Sequence, residues 1–131
     1  MPLSLPALMT LLAVLWYMVT VWQVGRARAK YKVYAPATTG DPGFERAFRV
    51  QMNELENLVA FLPPMWIYAW FGNPRLAAIA CGVYIVGRVI YAVGYWREAH
   101  RRALGYYVSM AAFAITWIAA LVSVVRWLGF A

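Results

Sequence analysis

The sequence has few of the residues from which most catalytic and metal sites are built. Among its 131 residues there are one cysteine, one histidine and five acidic residues. The single cysteine, Cys81, excludes an internal disulfide and a cysteine-based metal site, and we interpret it as a small buried apolar residue. The single histidine, His100, stands beside arginines, so no Ser-His-Asp set can be assembled. We find no Gly-rich phosphate loop. We therefore predict no metal and expect any chemistry to come from a bound ligand.

Charge is also scarce. Only 13% of the residues are charged, whereas 64% are hydrophobic and 17% are aromatic. A soluble domain of this length needs a polar outer surface, and long stretches of this chain offer none, so we predict an integral membrane protein. A membrane-spanning helix needs about 20 residues at a rise of ~1.5 Å per residue. The apolar stretches 3–24, 76–95 and 104–128 meet this length, whereas 58–71 meets it only if the polar residues before it belong to the same helix.

The net charge of +7 is distributed unevenly along the chain. Nine basic residues lie beside or between the first two apolar stretches, or between the last two: Arg26, Arg28, Lys30, Lys32, Arg46, Arg49, Arg97, Arg101 and Arg102. Only Arg75 and Arg126 fall on the opposite side, and Arg88 lies within the third stretch. This asymmetry predicts that the first and third loops face the cytoplasm and that both termini lie on the far side of the membrane. It also argues against nucleic acid as a partner.

The first helix should run from about Leu5 into the basic segment 24–33. No basic residue precedes its apolar run, so we interpret it as a retained membrane helix rather than a cleaved signal. The next segment, 34–46, contains two prolines and two glycines and is typical of an ordered loop. Within it, Asp41 followed by Pro42 indicates the N-terminus of the second helix.

The remaining helices follow from similar local signals. The second should run from Pro42 to about Phe71, with a kink at its two adjacent prolines. A tight turn at 72–75 should lead into the third, which runs from Leu76 to about Trp96 or beyond. A short basic connection then precedes the fourth helix. We predict an all-α integral membrane protein, with residues 1–131 forming one up-and-down bundle of four transmembrane helices.

The second helix carries many polar residues before its apolar half. On a helix with 3.6 residues per turn, six of them share about a third of the circumference: Glu45, Arg46, Arg49, Asn53, Glu56 and Asn57. Gln51 and Glu54 point elsewhere. One face of the third helix similarly combines four residues: Tyr84, Arg88, Tyr91 and Tyr95. If that helix continues, Glu98 and Arg102 extend this face toward the cytoplasm.

Two interpretations of these polar faces are open. Ionisable groups at membrane depth are costly, so they should face one another, a neighbouring subunit or a water-filled cavity. Arg88 and Glu56 could form a buried ion pair that only fixes helix packing. We favour a binding site, because arginines, amides and tyrosine hydroxyls suit a small, mostly anionic ligand, and Glu56 could accept an ammonium group.

Two spaced patterns are specific in combination. They are Glu-Arg-x-x-Arg-x-x-x-Asn-x-x-Glu, within FERAFRVQMNELENLVAFLP, and Gly-Arg-x-x-Tyr-x-x-Gly-Tyr, within GRVIYAVGYWREAHRR. With the upstream segment ARAKYKVYAP, they resemble the MAPEG family, the membrane-associated proteins in eicosanoid and glutathione metabolism. The resemblance covers nearly the whole chain.

The resemblance implies a homotrimer that binds glutathione, as co-substrate, between subunits near the cytoplasmic face. A hydrophobic electrophile or lipid hydroperoxide would enter from the membrane lipid. The residues that match the family's glutathione contacts are Arg28, Arg49, Gln51, Asn53, Glu56, Arg88, Tyr91, Tyr95 and Arg102. Of these, Arg88 is expected to be structural as much as ligand-binding.

The implied activity is that of a glutathione transferase, with glutathione peroxidase as a further activity. A free cysteine thiol ionises at about pH 8.5, and a neighbouring arginine lowers this pKa by favouring the thiolate. We expect Arg102 to stabilise the thiolate and Tyr91 to donate a hydrogen bond to it. The thiolate would then attack an electrophilic carbon or a hydroperoxide oxygen.

Two other functions stay open. A non-catalytic lipid-binding or scaffold member of the same family would lack glutathione turnover. A small transporter would use the polar face as a pathway, which a pocket closed to the far side would exclude. For location we favour the bacterial inner membrane, with the endoplasmic reticulum as the alternative.

Overall fold

The computed structural model describes residues 2–129, which form four α-helices and no β-strand. The helices are α1 (Ser4–Tyr31), α2 (Pro42–Phe71), α3 (Pro74–Arg97) and α4 (Ala103–Trp127), and a 3-10 turn, Ala99–Arg102, joins the last two. Each helix packs against the next one in the sequence, and α2 also contacts α4. The predicted all-α fold with four helices is confirmed.

Two helices begin with the same local arrangement, an acceptor side chain followed by proline. The Asp41 carboxylate accepts a hydrogen bond from the Gly43 N–H at 2.7 Å, and Pro42 occupies the first helical position. At the start of α3, the Asn73 side chain accepts from the Leu76 N–H at 3.1 Å, and Pro74 follows. The predicted bounds of α2 are confirmed. The predicted turn at 72–75 is too long, because the Asn73 cap starts α3 at Pro74.

The prolines Pro63 and Pro64 lie inside α2, and the helix extends across them to Phe71. The kink expected at this point stays a prediction. The apolar half of α2 packs into the bundle here, where the rings of Phe61 and Tyr84 stack in parallel with centroids 4.1 Å apart. α2 is therefore a core helix of the bundle as well as the carrier of the polar face.

The end of α3 agrees with the predicted end at about Trp96 or beyond. The helix ends at Arg97, and Glu98 is extended, with φ −152° and ψ 135°. The following turn folds back so closely that a Cβ at Gly94 would lie 2.3 Å from the Arg101 carbonyl oxygen. Because glycine permits this approach, the chain reverses direction instead of continuing the helix. The helix does not continue to Glu98 and Arg102, so the condition under which they would extend the face of α3 is not met.

Three helical segments within residues 2–129 are long and apolar enough to cross a membrane: Ser4–Tyr31, Pro74–Arg97 and Ala99–Trp127. The fourth, α2, has 30 residues and is longer than any of them. It differs in composition, since its first half is polar and only its second half is apolar. The polar residues before the second apolar stretch thus belong to the same helix, as predicted.

Candidate functional site

A buried polar cluster joins all four helices at the centre of the bundle. It consists of Trp16 on α1, Glu54 on α2, Arg88 on α3 and Ser109 on α4. The Arg88 Nε donates to Glu54 Oε1, and the Trp16 Nε1 donates to Glu54 Oε2 at 3.0 Å. The Arg88 Nη1 lies 3.4 Å from Ser109 Oγ. Glu54 and Arg88 are 2% and 1% exposed, so their charges depend on each other and on these neighbours, and Arg88 Nη2 has no hydrogen-bond partner among residues 2–129.

This cluster corrects one of the two sequence interpretations. The buried arginine does form an ion pair, but with Glu54 and not with Glu56. The sequence pattern predicts that Glu54 points away from the polar face. Helical periodicity places Glu54 in register with the other residues of α2 that the structure buries: Phe44, Ala47, Val50, Phe61, Met65 and Ala69. Glu54 lies on this core row, where an acidic residue requires a buried partner.

Above the ion pair, Tyr91 is held between two helices. Its side chain is buried, and its Oη accepts a hydrogen bond from Asn53 Nδ2 at 2.6 Å. The guanidinium carbon of Arg88 lies 4.0 Å from the centroid of the Tyr91 ring, at cation–π distance. Tyr95 follows one turn later, with its ring centroid 5.6 Å from that of Tyr91. The structure therefore brings Asn53, Tyr91 and Tyr95 together.

Arg102 reaches the same tyrosines by a different route from the one expected. The reversal after α3 carries it back, so that its guanidinium carbon lies 5.2 Å from the centroid of the Tyr95 ring. Its Nη1 donates to the Ala99 carbonyl at 2.9 Å, which holds the side chain against the 3-10 turn. Arg102 is exposed, so its remaining donors are open to a ligand.

An open groove of about 560 Å³ lies beside these residues. It is formed by the first loop, the start of α2 and the end of α3, and its lining residues are Thr38, Thr39, Pro42, Glu45, Arg46, Phe48, Arg49, Tyr95 and Ala99. Arg46 is partly used within the chain, because its Nε donates to the Trp96 carbonyl at 3.3 Å. Arg49 is exposed. The groove therefore combines polar walls, Tyr95 and Arg49, an arginine that forms no ion pair among residues 2–129.

Other predicted site residues lie apart from this groove within the single chain. Arg28, on α1, donates to the Val33 and Ala37 carbonyls at 3.3 and 2.8 Å and thereby fixes the first loop. Gln51 is half-buried. Glu56 is exposed and forms no ion pair within residues 2–129. Arg88 lies beneath the tyrosines and, at 1% exposure, presents no surface to the groove.

Among residues 2–129, no group of three or more His, Cys, Asp or Glu side chains is placed to hold a metal ion. The prediction that the protein works without a metal stays a prediction.

The sequence matches the profile of the MAPEG family over residues 6–122. The chain belongs to the MAPEG family. An uncharacterized protein of Synechocystis sp. is 47% identical over 119 residues, which cover 91% of this chain and 87% of that protein. Human microsomal glutathione S-transferase 2 is 43% identical over 93 residues, covering 71% and 63%. Bovine leukotriene C4 synthase is 39% identical over 106 residues, covering 81% and 71%.

The family match confirms the resemblance that the two spaced patterns indicated. Together with the three apolar helices, it identifies this MAPEG protein as an integral membrane protein. Two of the similar proteins carry names that describe glutathione transfer and leukotriene C4 synthesis.

Proposed function

We propose that this MAPEG protein is a glutathione transferase that joins the glutathione thiolate to hydrophobic electrophiles in the membrane. The observation that carries the proposal is that four side chains lie close together: Asn53, Tyr91, Tyr95 and Arg102. Beside them is a groove that is lined by the exposed Arg49. The similarity to microsomal glutathione S-transferase 2 supports the same chemistry.

The charges around the groove suit glutathione, which has two carboxylates, one ammonium group and one thiol. Arg49 provides a planar donor pair for a carboxylate at the groove. Glu56 lies apart from this groove within the single chain, and we propose that the Glu56 of a neighbouring subunit accepts the ammonium. Arg28 and Gln51 lie outside the single-chain groove, so we propose that a neighbouring subunit of a homotrimer supplies them. Arg88 packs against the Tyr91 ring inside the bundle, and we do not propose that it contacts glutathione directly.

The reaction follows from thiol chemistry. We propose that Arg102 lowers the pKa of the glutathione thiol and that the Tyr91 hydroxyl donates a hydrogen bond to the resulting thiolate. The sulfur then forms a bond to the electrophilic carbon, and the displaced group leaves with its electron pair. With a lipid hydroperoxide, the sulfur attacks the terminal oxygen and releases an alcohol, and a second glutathione completes the reduction, giving glutathione disulfide and water. The latter is the proposed peroxidase activity.

The proposed orientation places the groove on the cytoplasmic side and both termini on the far side, following the distribution of basic residues. Glutathione would thus enter from water, and the hydrophobic substrate would enter from the bilayer. We propose the bacterial inner membrane as the location, with the endoplasmic reticulum as the alternative.

Protein purified in detergent tests the proposal. We expect glutathione binding by calorimetry, a trimer by chemical crosslinking, and glutathione-dependent conjugation of chlorodinitrobenzene or reduction of a lipid hydroperoxide. A trimer that binds glutathione and catalyses neither reaction would refute the transferase proposal. A folded protein without glutathione binding would instead support the lipid-binding or scaffold function.

A further inference from the structure

We propose that the buried ion pair between Glu54 and Arg88 positions Tyr91 for the glutathione sulfur. The inference rests on the proposed function, in which the Tyr91 hydroxyl contacts the thiolate. It assigns to two buried residues a role beyond helix packing. We do not propose that either residue touches glutathione, because Arg88 packs against the Tyr91 ring and Glu54 is bonded by Arg88 and Trp16.

The ion pair contacts the ring of Tyr91 directly. Arg88 lies one turn before Tyr91 on α3, and its guanidinium carbon is 4.0 Å from the ring centroid. The guanidinium cannot rotate freely, since Nε bonds to Glu54 and Nη1 approaches Ser109. Its Nη2 is buried and has no hydrogen-bond partner among residues 2–129. The guanidinium therefore provides a fixed, charged surface under the ring.

The Tyr91 hydroxyl is held separately, by Asn53. Asn53 Nδ2 donates to Tyr91 Oη at 2.6 Å, which uses an acceptor position of the hydroxyl. The hydroxyl hydrogen remains available for donation to another acceptor, such as a thiolate. Tyr91 is therefore restrained at its ring by Arg88 and at its hydroxyl oxygen by Asn53, while its hydroxyl hydrogen has no acceptor among residues 2–129.

Both restraints on Tyr91 depend on consecutive residues of α2. Asn53 holds the hydroxyl, and Glu54 holds the guanidinium under the ring. The Glu54 carboxylate is itself oriented by the Trp16 indole at 3.0 Å. A displacement of this segment of α2 would thus change both ends of Tyr91 together. An ion pair that served only to pack helices would not require this connection to the candidate site.

A set of variants separates positioning from packing. The pair variant, Glu54→Leu with Arg88→Met, removes both charges at similar volume, a change that often leaves stability unchanged or increased. Tyr91→Phe removes the hydroxyl, and a triple variant combines all three substitutions. Thr116→Val is the matched control, because Thr116 is also 1% exposed and its hydroxyl, among residues 2–129, bonds only to the Ala112 carbonyl of its own helix.

We expect the pair variant to lower kcat for glutathione conjugation by about 10- to 100-fold, as a slight misplacement of a catalytic group does. The KM for glutathione should change by less than about threefold, because the residues proposed to hold its charged groups are intact. The triple variant should be no slower than Tyr91→Phe alone, since the effect passes through the missing hydroxyl. Thr116→Val should keep the parent kcat.

Two results would overturn the inference. One is a folded pair variant with the parent kcat, and the other is a triple variant whose losses multiply. If the pair variant does not fold, Arg88→Lys keeps the charge but removes the planar guanidinium from the ring. A parent kcat in Arg88→Lys would then equally refute the positioning role.

A readout independent of turnover distinguishes this inference from the proposed function. If the parent protein shows no glutathione-dependent turnover, the proposed function fails on its own. Fluorotyrosine NMR then tests the positioning, with the Tyr91 signal identified as the one absent from Tyr91→Phe. We expect this signal to shift or broaden in the pair variant and to stay unchanged in Thr116→Val. An unchanged Tyr91 signal in the pair variant would overturn the positioning role.

Discussion

Glu54 and Glu56 are two residues apart on the same helix, and their surroundings are opposite. Glu54 is 2% exposed and is bonded by Arg88 and Trp16 from two other helices. Glu56 is exposed and forms no ion pair within the part of the chain described. Two residues turn a helix by about 200°, so the two carboxylates leave α2 on nearly opposite sides.

The difference shows that α2 carries two kinds of polar residue. A carboxylate inside the bundle is tolerated only because other groups neutralise its charge and donate hydrogen bonds to it. Glu54 is therefore enclosed by Arg88 and Trp16 and is not accessible to a ligand. We call the side of α2 that carries Arg49, Asn53 and Glu56 the outer row, and the side that carries Glu54 the inner row. A carboxylate on the outer row keeps its hydrogen-bond acceptors, so Glu56 can bind an ammonium group. The arginines divide in the same way, with Arg88 inside and Arg49 outside. Substitutions on the two rows should therefore affect different measurements.

The largest effect is expected on the inner row. Glu54→Ala would leave the Arg88 guanidinium buried without its partner, which should lower the free energy of unfolding by about 3–5 kcal/mol. Unfolding in detergent measures this, with Glu56→Ala as the control, which should change it by less than about 0.5 kcal/mol. Equal losses in the two variants would mean that the two glutamates do not differ in role.

The next effect concerns glutathione and the outer row. Arg49→Ala and Glu56→Ala should each weaken glutathione binding by about 1–3 kcal/mol, because each removes a charge-assisted bond. Calorimetry measures the loss, and the free energy of unfolding should stay close to that of the parent protein. Parent affinity in both variants would show that the outer row does not bind glutathione.

A smaller effect is expected at Arg102, where binding and turnover should separate. Arg102→Ala should raise the pKa of the bound thiol by about one unit, which corresponds to about 1.4 kcal/mol and a tenfold loss of thiolate below that pKa. Turnover should fall accordingly, while the affinity for glutathione changes less. The ultraviolet absorbance of the thiolate provides the direct measurement, and equal absorbance in variant and parent would refute this role.

The smallest effect is expected at Glu98, a third glutamate that belongs to neither row. Its Oε2 lies 3.1 Å from Arg101 Nε and 3.3 Å from His100 Nε2, and all three side chains are at least half exposed. Exposed pairs contribute about 0–1 kcal/mol, so Glu98→Gln should change unfolding by less than about 0.5 kcal/mol and leave turnover unchanged. A loss as large as that of Glu54→Ala would show that exposure does not separate the glutamates.

Helix positions and the outer polar row were predictable because they depend on local signals. Asp41 and Pro42 determine the start of α2 within one turn of chain, and helical periodicity alone places Arg49, Asn53 and Glu56 on one side. The three long apolar segments likewise follow from composition. For the same reason, the sequence patterns were sufficient to indicate the MAPEG family.

The partners across helices were not predictable in this way. Periodicity places Glu54 on a row, but the choice between Glu54 and Glu56 as the partner of Arg88 depends on how α2 is rotated against α3. The position of Arg102 depends on a chain reversal over Gly94, where backbone atoms approach too closely for any larger residue. A continuous helix would have placed Arg102 differently relative to Tyr95.

The sequence by itself thus determined the class of protein, the four helices and the composition of each helix face, because these depend on contacts within a few turns of chain. Only the tertiary structure decided which charge pairs with which. Burial and pairing of charge depend on the rotation and spacing of helices that are distant in sequence, so one glutamate of α2 is enclosed in the bundle and the other remains open to a ligand.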